Sequence, residues 1–243
     1  MALPNEQQIR IDLAAVFRII ASLNMHEAVA NHFSAAVSAD GKKFLLNPKW
    51  RHFSRIKASD LLLLDADDPD TQQRDDVDAT AWAIHGQLHQ QLPEVRVVLH
   101  LHPIYTTTLA CLQDNRVLPI DQMTARYFNR VAIDNLYGGM ADSSEEGARL
   151  AGLLGDKRRL LMGNHGVMVT APTIGEAFDD IYTLERACTI LINAYATGKP
   201  LKILSDDIAE KTAQPWESID DFSRQHFEEM KHLLYQQDPS FAD

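Results

Sequence analysis

The chain has 243 residues, 45% of them hydrophobic, which is enough for one large domain with a sizeable core. A net charge of -11 repels a phosphate backbone, so nucleic acid is not an expected partner. Only two cysteines occur, Cys111 and Cys188, and no apolar run reaches the length of a bilayer span, so neither a disulfide framework nor membrane insertion is expected.

The polar start Asn5-Glu6-Gln7-Gln8 is unlike a secretory leader, and the expected location is cytoplasmic. Ile9, Leu13, Val16, Ile20 and Leu23 repeat at helical spacing and predict an amphipathic opening helix that stops near Asn24. Short apolar stretches over Phe33–Val37, Phe44–Leu46 and Leu61–Leu64, separated by Asp40-Gly41 and Asn47-Pro48, predict strands. A helix from about Val77 to Gln91, closed by Pro93, leads into a strand carrying the segment Val97–Pro103. A helix over Ile104–Leu112, a loop around Leu118–Gln122 and a strand over Val131–Ile133 follow. Asp142 or Ser143, with Glu145 or Glu146 three residues later, opens a helix that closes at Gly155. Arg159–Met162 and Val167–Thr170 flank a Gly-Asn-His-Gly turn as two strands. Thr173 with Glu176 opens a long helix ending before Gly198, and a last helix carries Ile219, Phe222, Met230 and Leu233. Interspersed helices and short strands predict an α/β domain in which helices cover a sheet.

Strand side chains point to one face at every second residue, so His100 and His102 project together, their Cβ atoms roughly 7 Å apart. Two such imidazoles can converge on one ion at about 2.0–2.1 Å, and His165, in a turn flanked by Gly163 and Gly166, is the best-placed third ligand. The plain alternative is a pair of hydrogen-bonded core histidines. His85 and His89, four apart on the preceding helix, share the spacing of a zinc-protease motif, but Gly86 stands where that motif needs its general-base Glu. His85 therefore either faces the metal pocket or packs on the sheet. His26, His52, His226 and His232 lie in polar settings and are expected to be solvated.

The order Asn31-His32-x-Ser34, Asn47-Pro48, a helix carrying His85, then Pro93, Val98-x-His100-x-His102 and Asn164-His165-Gly166 resembles the class II aldolase/adducin family. The resemblance covers roughly Ile9 to Gly198. It implies a three-layer α/β/α sandwich with a central mixed, mostly antiparallel sheet. It implies a single domain over 1–243, with a core of about 9–198 and a helical C-terminal extension of about 199–243. It further implies a divalent metal ion, zinc first with iron or manganese as alternatives, held by His100, His102 and His165. A homo-oligomer, a tetramer with sites at subunit borders, follows from the same likeness.

The departures from the family pattern are specific. Aldolases carry a Glu four residues before the helix histidine; that position is Ala81 here, and general acid–base catalysis is worth about 10²–10⁴-fold. Asp78, one turn earlier, and His85 are the candidate replacements, Asp78 also being placed to favour a helix N-terminus. The family's phosphate-binding loops correspond to Asn31–Ser34 and Asn47–Trp50, where Trp50 replaces a Gly, so the expected small-molecule substrate is not phosphorylated. Asn31, Ser34 and Lys49 are the candidate substrate-binding residues, with Lys49 or Arg51 as the receiver of a carboxylate in place of phosphate. Asn31-His32, Ala81-Trp82 ahead of His85, and Leu118-Pro119-Ile120 bring the chain close to the adducin-like branch, which lacks the complete histidine triad that this chain keeps. The expected activity is that of a metal-dependent aldolase-like lyase on a small hydroxy-carbonyl compound, with the ion stabilising an enediolate. The alternatives are a non-haem iron oxygenase on the same fold and a non-catalytic adducin-like binding module.

Overall fold

The computed structural model describes residues 5–243. In chain order its elements are α1 (Glu6–Ser22), β1 (His32–Ala36), β2 (Lys43–Leu46), β3 (Leu62–Asp65), α2 (Ala79–Gln91), β4 (Val97–Leu101), α3 (Ile104–Ala110), α4 (Gln122–Ala125), β5 (Val131–Asp134), α5 (Ser144–Leu154), β6 (Arg159–Met162), β7 (Gly166–Ala171), α6 (Ile174–Ala196), α7 (Asp206–Trp216) and α8 (Asp220–Gln237). The strands form one sheet in the order β3-β2-β1-β4-β7-β6-β5. Among the described residues only the edge pair β5–β6 is parallel, and every other pairing is antiparallel.

Strand alternation sorts the side chains into two layers. Val97, Leu99 and Leu101 of β4 enter one core with Phe17 of α1, Leu109 of α3 and Phe178 of α6. Val98 enters a second core with Ile84 and Leu88 of α2 and Leu150 and Leu154 of α5. Helices thus cover both faces, giving the three-layer sandwich that the resemblance implies. By the same parity His100 belongs to the α2 side of the sheet. Phe227 and Phe241 join the α1–α6 core, so the C-terminal helices pack on the same body as the strands.

The helix starts follow the sequence signals. Asn5 accepts from the Gln8 N–H, Asp78 from the Thr80 and Ala81 N–H groups, Ser143 from Glu146 and Thr173 from Glu176. Two elements escape the sequence reading. The stretch read as a loop around Gln122 turns into the short α4, opened by a reciprocal capping pair between Asp121 and Thr124. The C-terminal region holds two helices where one is expected, because α7 buries only Ala209 and Ala213, opens without a capping bond from Ser205 and carries Pro215 in its last turn.

The expected solvation of the four outlying histidines is corrected for three of them. His226 Nδ1 donates to Asp179 at 2.8 Å inside a buried ionic cluster. His26 and His52 form a half-buried pair with their Nε2 atoms 3.3 Å apart. Both cysteines are free. Among the described residues no helix is long and apolar enough to cross a membrane.

One close approach fixes how α5 lies on α2. A Cβ added at Gly147 would stand 1.9 Å from the Ala83 carbonyl oxygen, a backbone atom that cannot swing away. Gly147→Ala is therefore expected to force the two helices apart and lower unfolding free energy by about 1–3 kcal/mol, read by urea denaturation. An unchanged midpoint would show that the helices have slack there.

Candidate metal centre

His100 and His102 come from the end of β4, and His165 from the tight β6–β7 turn, whose strands pair Met162 with Gly166. Asn164 supplies the left-handed residue of that turn, with φ 57°. Gly166 contributes by what it lacks, since a Cβ there would lie 2.4 Å from His102 Cδ2 and 2.8 Å from the Leu101 carbonyl oxygen. Its absent side chain is what lets the turn close over the His102 ring.

One nitrogen from each of the three rings lies within 4.8 Å of the others. His100 Nδ1 donates to the Val167 carbonyl at 3.1 Å, and His102 Nδ1 donates to Glu27 Oε2 at 2.6 Å. Two neutral rings donating through Nδ1 would turn their Nε2 lone pairs toward each other, and the two Nε2 atoms stand 3.1 Å apart. Two lone pairs facing each other repel, whereas bonds of about 2.0–2.1 Å to a shared tetrahedral ion put neighbouring nitrogens roughly 3.3 Å apart. The donor set and its spacing fit a divalent cation.

Electrostatics support the same state. Burial first, then His102, lowers His165 to about 4. Burial, followed by His32 and the other site histidines, holds His100 well below 6.5. Both rings are therefore neutral at pH 7, the form that binds metal.

Glu27 lies outside every spacing pattern in the sequence. Its carboxylate orients His102, and its own N–H donates to Asn31 Oδ1 at 2.7 Å, which ties the loop before β1 to the site. Carboxylate partners of metal-bound imidazoles fix the tautomer and raise ligand basicity. Glu27→Ala should weaken zinc affinity about 10–100-fold, measured by competition with a chromogenic chelator. An affinity within twofold of the parent protein would remove Glu27 from the site.

The structure places the other candidate residues as follows. His85 is fully buried; its Nε2 lies 2.8 Å from His32 Nδ1 and its Nδ1 lies 2.6 Å from Ser34 Oγ. Both of its nitrogens are thus engaged inside the protein. Ser34, also fully buried, bridges His85 and His89. Asp78 caps α2, with Oδ1 receiving the Thr80 hydroxyl at 2.6 Å and the Thr80 and Ala81 N–H groups. Asn31 is buried and leaves its Nδ2 without a partner. Lys49 Nζ lies 5.2 Å from the centroid of the Trp50 ring, and Trp50 is 71% exposed with φ 64°. Ala81 is buried among apolar neighbours including Phe44 and Leu46, so its position offers no group that can move a proton.

The residue beside the triad is His32. It pairs with His100 across β1 and β4, and the two ring centroids are 4.9 Å apart. Its signal was present in the sequence as strand alternation with Ser34, but its link to His85 depends on how α2 crosses the sheet.

Residues 11–192 match the family described as Class II Aldolase and Adducin N-terminal domain. A protein of Pseudomonas aeruginosa assigned to the class 2 aldolases is 31% identical over 197 residues, 81% of this chain and 75% of its own length. Decarboxylase NovR of Streptomyces niveus is 27% identical over 180 residues, 73% of this chain and 66% of its own. The crystal structure of an aldolase II superfamily protein from Pseudomonas syringae matches with a TM-score of 0.89 at 27% identity, covering 100% of this chain and 98% of that one. With a match over most of its length, and with strands, helices and three converging histidines arranged as described, the chain belongs to the class II aldolase and adducin N-terminal domain family.

Proposed function

We propose that the protein is a metal-dependent lyase that cleaves a carbon–carbon bond in a small, unphosphorylated hydroxy-carbonyl or keto-acid substrate. The observation that carries this reading is the convergence of the His100 and His102 Nε2 atoms, 3.1 Å apart, with His165 closing the set. A divalent ion held there, zinc first, supplies Lewis acidity to adjacent carbonyl and hydroxyl oxygens. Aldol cleavage and decarboxylation both leave electrons on the carbon next to a carbonyl, so either reaction needs the same stabilised oxyanion.

The chain's own residues would do the rest. Asn31 Nδ2, buried and unpartnered, is a donor free to receive a substrate oxygen. Lys49 forms no salt bridge among the described residues, which supports it as the receiver of a substrate carboxylate. Trp50 fills the place where a glycine would open the backbone to phosphate. Three histidines with no carboxylate differ from the two-His-one-carboxylate set of iron oxygenases, which favours the lyase reading over an oxygenase. Cytoplasmic location and assembly as a homo-tetramer are the matching expectations for such an enzyme.

The test is a panel of 4-hydroxy-2-keto acids given to zinc-loaded protein, with pyruvate release followed through lactate dehydrogenase. Release that stops on chelation and returns with zinc supports the proposal. A fully zinc-loaded protein that releases nothing, and that exchanges no methyl protons of pyruvate with deuterated water, would count against it.

A further inference from the structure

A continuous chain of polar groups runs through the α2 side of the sheet away from the metal histidines. His89 Nε2 lies 2.8 Å from Ser34 Oγ, Ser34 Oγ lies 2.6 Å from His85 Nδ1, and His85 Nε2 lies 2.8 Å from His32 Nδ1. His32 Nε2 then faces Thr80 Oγ1 at 3.5 Å, and Thr80 Oγ1 lies 2.6 Å from Asp78 Oδ1. His32, Ser34, His85 and His89 are all buried. Three imidazoles and a hydroxyl packed in this way have no structural need to be histidines unless their order matters.

The direction of donation along this chain is set at its carboxylate end. Hydrogen bonds from Thr80 and Ala81 hold Asp78 below the usual carboxylate range against the opposing effect of burial, so it is ionised and only accepts. Thr80 must spend its single hydroxyl hydrogen on Asp78, which leaves its oxygen as an acceptor toward His32. His32 therefore carries hydrogen on Nε2 and a lone pair on Nδ1. His85 then donates through Nε2 and accepts at Nδ1, Ser34 donates to His85 and accepts from His89, and His89 donates through Nε2. The one atom left over is His89 Nδ1, which has no hydrogen-bond partner. That is consistent, since a bare nitrogen is a smaller loss than a buried N–H donor without an acceptor. The reverse order would have His89 Nδ1–H donate toward the Gly41 backbone, which lies near enough to favour a proton there but not in the geometry of a hydrogen bond, and would set His32 and Thr80 lone pairs against each other.

We propose that Asp78, Thr80, His85, Ser34 and His89 lock His32 as a neutral Nε2–H donor that hydrogen-bonds the oxyanion developing on the substrate beside the metal histidines. His32 is then a catalytic residue, and the other five are positioning residues acting through it. At 3.5 Å the contact with Thr80 is weak enough for a substrate oxyanion to draw the Nε2–H away, while the 2.8 Å bond accepted from His85 at Nδ1 keeps the tautomer. Preorganised donors aimed at developing charge are commonly worth 10²–10³-fold. No change of charge on any histidine is involved. This inference rests on the lyase reading, and it recasts Asp78 and His85 as supports of a donor where that reading lacks a base.

Two measurements test it separately from turnover. In protein carrying ¹⁵N-histidine, two-bond ¹H–¹⁵N correlation spectra of the zinc form should show His32, His85 and His89 as Nε2–H tautomers. In Ser34→Ala, His32 should lose its single tautomer. Oxalate, a planar dianion resembling the enolate of pyruvate, should bind the zinc protein about 10–100-fold more weakly after His32→Phe, and at least threefold more weakly after Ser34→Ala. Zinc affinity should stay within about twofold in both variants. An Nδ1–H tautomer for wild-type His32 would overturn the proposal without touching the lyase reading. Unchanged oxalate affinity in both variants would overturn the donor role. A wild-type zinc protein that shows the expected tautomers but binds no oxalate would overturn the lyase reading, and the donor role with it.

Discussion

Acidifying the metal-free protein from pH 7 to about 5 should unfold it. Burial is the largest cause lowering His32, His85 and His100 well below 6.5, with neighbouring histidines next, and burial followed by Arg96 lowers His89 to about 3. The unfolded chain takes up protons on these rings near 6.5 while the folded chain does not. Their full contribution to stability is therefore present above pH 6.5 and is lost as the pH falls toward the folded values. One unit below 6.5, each ring costs about 1.4 kcal/mol, so four cost about 5–6 kcal/mol, which is comparable to the whole stability of a domain. Circular dichroism and tryptophan fluorescence should show a cooperative loss centred between about pH 5 and 6. Zinc should move that midpoint to lower pH, because it binds only the neutral imidazoles. A metal-free protein that keeps its fold to pH 4 would show that water or local rearrangement relieves these buried rings.

Removing the Asp179 carboxylate should cost about 3–5 kcal/mol while leaving the metal site intact. Asp179 is 1% exposed. Its Oδ2 accepts from Arg126 at 2.8 Å and from the Ser223 hydroxyl at 3.0 Å, and its Oδ1 accepts from His226 at 2.8 Å. Asp180, its neighbour on α6, pairs with Arg159, itself almost fully buried. In Asp179→Ala the Arg126 guanidinium keeps the Thr183 hydroxyl at 3.3 Å and, as its one nearby carboxylate, Asp180 at 3.8 Å, which leaves too little compensating charge in the interior. Truncating one member of a buried ion pair is costly for that reason. Arg126 also lies over the Trp216 ring, 4.9 Å from its centroid, so the loss should loosen the end of α7. Arg159 begins β6 whereas His165 follows the other end of that strand, which separates this cluster from the metal ligands along the sheet. Urea unfolding and zinc titration of the same variant separate the two effects. A loss below about 1 kcal/mol would mean that the cluster is hydrated enough to tolerate the charge.

The parts of this molecule legible in its sequence are those written in local periodicity. The parity of His100 and His102 on β4, the capping residues Asp78, Ser143 and Thr173, and the glycines around His165 each follow from short-range rules, and the triad emerges from them. Glu27 was not legible, because its bond to His102 joins residues 75 apart through a loop with no pattern. Ser34 was legible as a polar residue on a strand but not as the bridge between His85 and His89, which depends on where α2 crosses β1. The α7 helix was missed for the opposite reason: it exposes most of its length, so burial leaves little imprint on its sequence.

Zinc binding to chelator-stripped protein, by equilibrium dialysis followed by elemental analysis, bears most directly on the three-histidine centre. One divalent ion per chain is expected for the parent protein, and no stoichiometric binding for His100→Ala, His102→Ala or His165→Ala, each with its secondary structure preserved at pH 7.5. A parent protein that takes up no divalent ion, or triad variants that still hold one ion per chain, would contradict it.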